Sequence, residues 1–259
     1  MRLFAIVLGL VFFHQAPGQY LPVFDPLLRV NDPHETGLPR LTASYHDSLR
    51  LQINLAYTTL YGLTELQNGQ LCLLGGGDAW LVAADLRYQH WALASHSEIQ
   101  LSATWHWREL FSSMGMGVYV GHFSVSGFGA SYNSWISLHG GFYPMPGLTI
   151  AWQLRGLVAI AEDGPQAPAA AMAVAWVFAR ELVLRSGLEH SHFFGSEHWL
   201  GLSGCWQECL EYGASYRALT NQWQAYVGIR RGSLRLRFGY SAHAWLGEGL
   251  GGGAEGRWP

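Results

Sequence analysis

A two-residue rhythm, sustained over stretches of ten or more residues, constrains this chain more than any other feature. From Leu49 to Tyr61, the residues Leu49, Leu51, Ile53, Leu55, Tyr57, Thr59 and Tyr61 share one face. Arg50, Gln52, Asn54, Ala56 and Thr58 share the other. A helix would scatter these apolar residues around its circumference, whereas a strand collects them on one side. The stretch is long enough to cross hydrocarbon as a tilted strand, which needs about 9–11 residues.

The same rhythm recurs along the chain. Trp80, Val82, Ala84, Leu86 and Tyr88 oppose Asp85, Arg87 and Gln89. Ile99, Leu101, Ala103, Trp105 and Trp107 oppose Gln100, Ser102, Thr104, His106 and Arg108. Ile136, Leu138, Gly140 and Phe142 oppose Ser137, His139 and Gly141, and Leu148, Ile150, Trp152 and Leu154 oppose Gln153 and Arg155. Near the end, Trp223, Ala225, Val227 and Ile229 oppose Gln224 and Arg230, then Leu234, Leu236, Phe238 and Tyr240 oppose Arg235, Arg237 and Ser241. Turn signals punctuate these runs. Gln67-Asn68-Gly69 predicts a tight turn. Tyr143 to Gly147, Arg231-Gly232-Ser233 and the polar Ala161 to Pro168 predict further connections. Strands this closely spaced form antiparallel hairpins rather than parallel βαβ units.

Composition decides between a soluble sheet and a membrane sheet. Only 13% of residues are charged while 49% are hydrophobic, about half the charge of an ordinary soluble domain. Aromatic residues crowd the strand ends, as at Tyr57, Tyr61, Tyr88, Trp91, Trp105, Trp107, Phe142 and Tyr143. Beyond the first residues, no apolar run reaches the roughly 18 residues of a spanning helix. In lipid a sheet must close, because an open edge leaves backbone groups unpaired. The expectation is an all-β chain forming a single antiparallel transmembrane β-barrel of about 12–14 strands in the bacterial outer membrane. Twelve strands fit the length comfortably, and fourteen require short turns.

The beginning of the chain reads differently. Arg2, the apolar run Leu3 to Phe13 and Ala16-Pro17-Gly18 have the layout of an export signal, with cleavage after Gly18. Pro22, Pro26, Pro33 and Pro39, with Asp and Asn between them, make residues 19–37 an irregular arm or a short plug. Residues 38–259 form the barrel.

Candidate chemistry lies on the polar face of the strands. Lumen candidates are Arg50, Asn54, Asp85, Arg87, His106, Arg108, Arg155, Arg235 and Arg237. Such residues either pair with carboxylates and carbonyls in a filled interior or contact a passing solute. An arginine-rich wall, if open, favours anions. A net charge of -3 offers no footprint for nucleic acid. Glu189 to His198 is rich in imidazoles and carboxylates but lacks a specific ligand spacing, so it reads as a solvated loop rather than a metal site. Cys205 and Cys209 flank a short hairpin and either bridge or stay as thiols, leaving Cys72 over. Phosphate loops, dinucleotide fingerprints and a hydrolase triad are all missing from the motifs. The expectation is therefore no enzyme, no cofactor and no bound metal.

Ser233 to Ser241, followed by Leu246-Gly247 and a final strand, and the glycine-containing joint Phe123 to Gly129 carry a resemblance. The chain resembles the fatty-acid-transporter-like outer-membrane barrels, most of all the PorV/PorQ-type branch. The likeness covers much of residues 38–258. It implies a transport barrel passing hydrophobic or amphipathic solutes by diffusion through a lumen or laterally between strands. It also implies an alternative, a non-enzymatic scaffold recruiting proteins of an envelope secretion complex. The implied partners are outer-membrane lipid and either a hydrophobic or amphipathic solute or envelope-complex proteins. The chain is short for a fatty-acid transporter, and it ends on Trp258-Pro259 rather than on an aromatic residue.

Overall fold

The computed structural model describes residues 51–60, 63–76, 80–91, 94–107, 112–145, 147–162, 169–179, 182–191, 195–207, 209–219, 221–243 and 247–258. The expected export signal, the arm over 19–37 and the first residues of the expected barrel lie outside them. The described residues form β1 (Leu51–Leu60), β2 (Leu63–Gly76), β3 (Trp80–Trp91), β4 (Ala94–Trp107), β5 (Ser112–Val125), β6 (Gly129–Met145) and β7 (Leu148–Glu162). They continue as β8 (Ala169–Ala179), β9 (Leu182–Ser191), β10 (Gly195–Trp206), β11 (Leu210–Arg217), β12 (Gln222–Arg231), β13 (Leu234–His243) and β14 (Gly247–Trp258).

Each strand pairs antiparallel with its neighbour in the chain, and β14 pairs with β1 to close the barrel. Closure leaves no edge strand, which is what a sheet surrounded by hydrocarbon requires. Fourteen strands fit because the connections are short, from two residues between Leu60 and Leu63 to six between Glu162 and Ala169. The described residues thus make fourteen strands, the upper end of the expected range.

Alternation sorts the side chains. In β13, Leu234, Leu236, Phe238 and Tyr240 are exposed while Arg235, Arg237 and Ser241 are buried. In β12, Trp223, Val227 and Ile229 are exposed against buried Gln222, Gln224 and Tyr226. In β5, Met114, Met116, Val118 and Val120 face out and Ser113 and Tyr119 face in. On a closed barrel these exposed rows make an apolar outer surface. Tyr57, Tyr88, Tyr132 and Tyr240 stand near one rim of it, and Trp80, Trp105, Phe142, Trp176 and Trp206 near the other. Two aromatic girdles around an aliphatic belt, with a polar interior, is the layout of a membrane-spanning barrel.

Two expectations about connections change. Gln67-Asn68-Gly69 is no turn: it lies inside β2, with Gly69 opposite Tyr57 on one side and Tyr88 on the other. Two ladders outweigh the local turn preference, and the chain reverses between Leu60 and Leu63 instead. Glu189 to His198 is no loop, since β9 runs to Ser191 and β10 resumes at Gly195.

Candidate functional site

Fourteen strands about 4.8 Å apart and tilted about 40° set a backbone cylinder about 28 Å across. Side chains fill it at several levels. His139, Gln153, Gln222 and Glu211 rank among the most deeply buried groups of the described residues. The sequence-derived lumen candidates sort as follows. Asp85, Arg155, Arg235 and Arg237 are buried inside the barrel, and Arg87 is half-buried beside Asp85. Asn54 is placed by its backbone, opposite Glu255 and Cys72, and His106 likewise, opposite Ser113. Arg50 and Arg108 lie outside the described residues.

Five interior arginines, Arg87, Arg155, Arg217, Arg235 and Arg237, stand beside carboxylates, most of which the sequence reading missed. Arg237 Nε donates to Glu211 at 2.9 Å and Arg235 Nε approaches the same carboxylate at 3.4 Å. Both guanidinium groups also reach Glu255, at 3.4 and 3.7 Å. The result is a closed set of two cations and two anions spanning β11, β13 and β14. Arg217 donates to Glu197 at 2.8 Å, and Arg155 stands 3.7 Å from Glu189. Gln70 donates to both oxygens of Asp85 at 2.7 Å, and Arg87 lies 3.4 Å from it. Removing one partner of such a buried pair leaves a charge with nothing to offset it, at roughly 3–5 kcal/mol.

Neutral hydrogen bonds extend the network. Arg155 Nε donates to Gln153, whose amide nitrogen donates to the Tyr119 hydroxyl. Tyr119 stacks on Trp135 with ring centroids 5.2 Å apart. Thr104 and His139 are hydrogen-bonded at 2.8 Å. Nothing among the described residues groups three or more metal-ligating side chains. The cysteines form no disulfide, with Cys205 paired in register to Glu211 and Cys209 in the turn beyond.

The wall departs from regular pairing in β1–β2, β6–β7 and β8–β9, and the departure in β7 lies in mid-strand. Between the pairs Leu138–Leu154 and Ile136–Val158, three residues of β7 (Arg155, Gly156 and Leu157) oppose one of β6, Ser137. Gly156 takes φ +65°, a left-handed conformation that glycine adopts without steric penalty. β7 pairs with β8 from Leu148–Trp176 to Arg155–Ala169, the first residue of β8. β7 continues to Glu162 on the β6 ladder, with one further register shift. Bulges of this kind re-aim a strand and end its pairing.

No protein-family model matches the chain, and no curated protein matches its sequence. Solved structures do share its fold. The Acinetobacter baumannii outer membrane protein Omp33 superposes with TM-score 0.56 at 8% identity, over 81% of this chain and 98% of that one. The Ralstonia pickettii toluene transporter TbuX gives TM-score 0.58 at 7% identity, over 81% and 88%. The P. putida toluene transporter TodX gives 0.56 at 9%, over 81% and 90%. At these identities the likeness is one of fold. The closed fourteen-strand barrel, its apolar exterior and these outer-membrane barrels together place the chain in the bacterial outer membrane.

Proposed function

We propose that the chain is a passive outer-membrane transport barrel for hydrophobic or amphipathic solutes, which leave its interior sideways through the wall at β7. The observation that carries this reading is the mid-strand bulge of β7 against β6 at Arg155 to Leu157, where Gly156 takes φ +65°. An apolar solute gains by leaving for hydrocarbon rather than water, so a weak point in the wall is useful to such a solute and useless to an ion. Arg87, Arg155, Arg217, Arg235 and Arg237 are each beside a carboxylate, which weakens the basis for a general preference for anions. Two barrels of the same fold are named as toluene transporters, in keeping with an apolar cargo. Passage is diffusion, with no covalent step.

The test uses the full chain in bilayers whose outer leaflet is lipopolysaccharide, which slows apolar solutes in the absence of protein. Uptake of ethylbenzene should rise with the protein present. Gly156→Val cannot hold φ +65° without strain and should cut that uptake several-fold in barrels that remain folded by heat-modifiability on gels. Uptake no faster than in protein-free bilayers overturns the reading. Equal uptake by the Gly156→Val barrel moves the exit away from β7.

A further inference from the structure

The hairpin of β12 and β13 concentrates positive charge. Arg230, Arg231, Arg235 and Arg237 lie on it, four of the chain's 15 basic residues. Register and burial split them into two pairs. Arg235 and Arg237 are buried and bridge Glu211 and Glu255. Arg230 and Arg231 stand at the tip, both exposed, and neither meets a carboxylate among the described residues. Arg230 is also the direct cross-strand partner of Arg235, an arrangement unfavourable between like charges. The carboxylates further along the strands answer Arg235 and Arg237 and leave the charge of the tip unopposed.

Alternation along β12 sends the two tip arginines to opposite sides. Tyr226 and Gly228 face inward, and Arg230 follows them at the mouth of the barrel. Val227 and Ile229 are exposed on the outer surface, and Arg231 continues their row. Its register partner is Leu234, the first residue of β13, exposed on the same surface with Leu236 beyond it. Arg231 therefore closes an apolar outward row, at the end of the barrel where β1 begins and β14 ends. Trp206, exposed at the same end of β10, marks the aromatic girdle there. Hydrocarbon gives way to headgroups at such a girdle. A guanidinium placed at that level presents parallel N–H donors that match a phosphate. The far end of the same outer face is of opposite sign, with Tyr240 hydrogen-bonded to the carboxylate of Glu248.

We propose that the tip of the β12–β13 hairpin binds the phosphate of an anionic phospholipid headgroup. Arg231 holds the phosphate, and the acyl chains lie along Val227, Ile229, Leu234 and Leu236. A lipid fits better than a soluble anion because the charge ends a row of side chains that already meets hydrocarbon. Arg230 strengthens the local field from the lumen side. The site is separate from the solute exit at β7 and goes beyond the transport reading.

The test uses the full chain with its native cysteines replaced and a fluorophore on a single cysteine at Leu234, in phosphatidylcholine vesicles. Brominated phosphatidylglycerol or brominated phosphatidylcholine is included at equal mole fraction, and the two quenching efficiencies give the local preference for the anionic lipid. The wild-type tip should prefer phosphatidylglycerol by about fivefold, and salt should weaken that preference. A probe at Tyr240 should show none. Arg231→Gln should bring the preference at Leu234 close to unity, while Arg230→Gln should keep most of it. Both arginines are exposed and outside the buried charge network, so these barrels should fold, as heat-modifiability on gels will verify. Equal quenching by the two lipids in the wild-type barrel, or a preference that survives Arg231→Gln, overturns the site. Loss of the preference in Arg230→Gln but not in Arg231→Gln also overturns it and assigns anion recognition to the mouth of the barrel instead.

Discussion

The side chain of Arg237 runs across Gly228, its register partner on β12, so closely that a Cβ there would stand 2.8 Å from both Arg237 Cγ and the Leu236 carbonyl oxygen. Gly228 therefore makes room for the guanidinium group that joins Glu211 on β11 to Glu255 on β14. A methyl group at this position must push the arginine off its carboxylates or bend the β12–β13 ladder. Overpacking of this kind costs about 1–3 kcal/mol. Gly228→Ala should lower stability by that amount in urea unfolding from lipid vesicles. Gly69→Ala is the control, because a Cβ at Gly69 meets nothing within 4 Å, and it should be close to neutral.

Phe238 gives a sharp test of the membrane-facing side. It stands in the middle of β13 and is 65% exposed, on the row opposite Arg237. An arginine facing lipid at the midplane costs about 2–4 kcal/mol. Phe238→Arg should be destabilised by that much in vesicles. The same residue introduced at Leu234, nearer the rim, should cost clearly less. Equal, small effects at both positions would mean that this face does not meet hydrocarbon.

Much of this architecture is legible in the sequence where the two faces differ in polarity. β3, β4, β12 and β13 alternate apolar and polar residues, and the period-two pattern finds them directly. β8 escapes that pattern because it alternates in size. Ala171, Ala173 and Ala175 face inward while Met172 and Trp176 face outward, all of them apolar. β10 breaks the expectation in another way, since inward Trp199 and outward Leu200 are both hydrophobic. The carboxylates that answer the arginines, Glu189, Glu197, Glu211 and Glu255, lie on β9, β10, β11 and β14, where glycines such as Gly187, Gly201, Gly213 and Gly253 interrupt the contrast between the two faces. Asn68-Gly69 misled for the opposite reason, a strong local signal overruled by pairing on both sides. Nothing local marks the β7 bulge except Gly156, which looks like many other glycines in the chain.

Site-directed quenching tests the facing assignment without disturbing the charge network. With the native cysteines replaced, single cysteines at Phe238 and Ser241 carry an environment-sensitive fluorophore. Phe238 is exposed and Ser241 is buried on the inner row. Brominated lipids should quench the probe at position 238 strongly and the probe at 241 weakly. The reverse order in an inserted barrel would put the inner row of β13 toward lipid.

Glu189 and Glu197 are direct cross-strand partners on β9 and β10, an arrangement that is unfavourable between like charges. It is tolerated because each carboxylate has a cation on its far side, Arg155 for Glu189 and Arg217 for Glu197. Arg217→Ala would remove the cation that stands 2.8 Å from Glu197 beside its like-charged neighbour. The expected loss is about 3–5 kcal/mol, the range for breaking a buried ion pair. Adding Glu197→Gln removes the uncompensated charge and its repulsion with Glu189, so the double variant should be more stable than Arg217→Ala alone. A coupling within the range of roughly 0.5–3 kcal/mol is expected from the double-mutant cycle. Urea unfolding in vesicles gives all four corners of the cycle. Additive losses, with no recovery in the double variant, would show that Glu197 does not depend on Arg217 and that the two carboxylates do not sense each other.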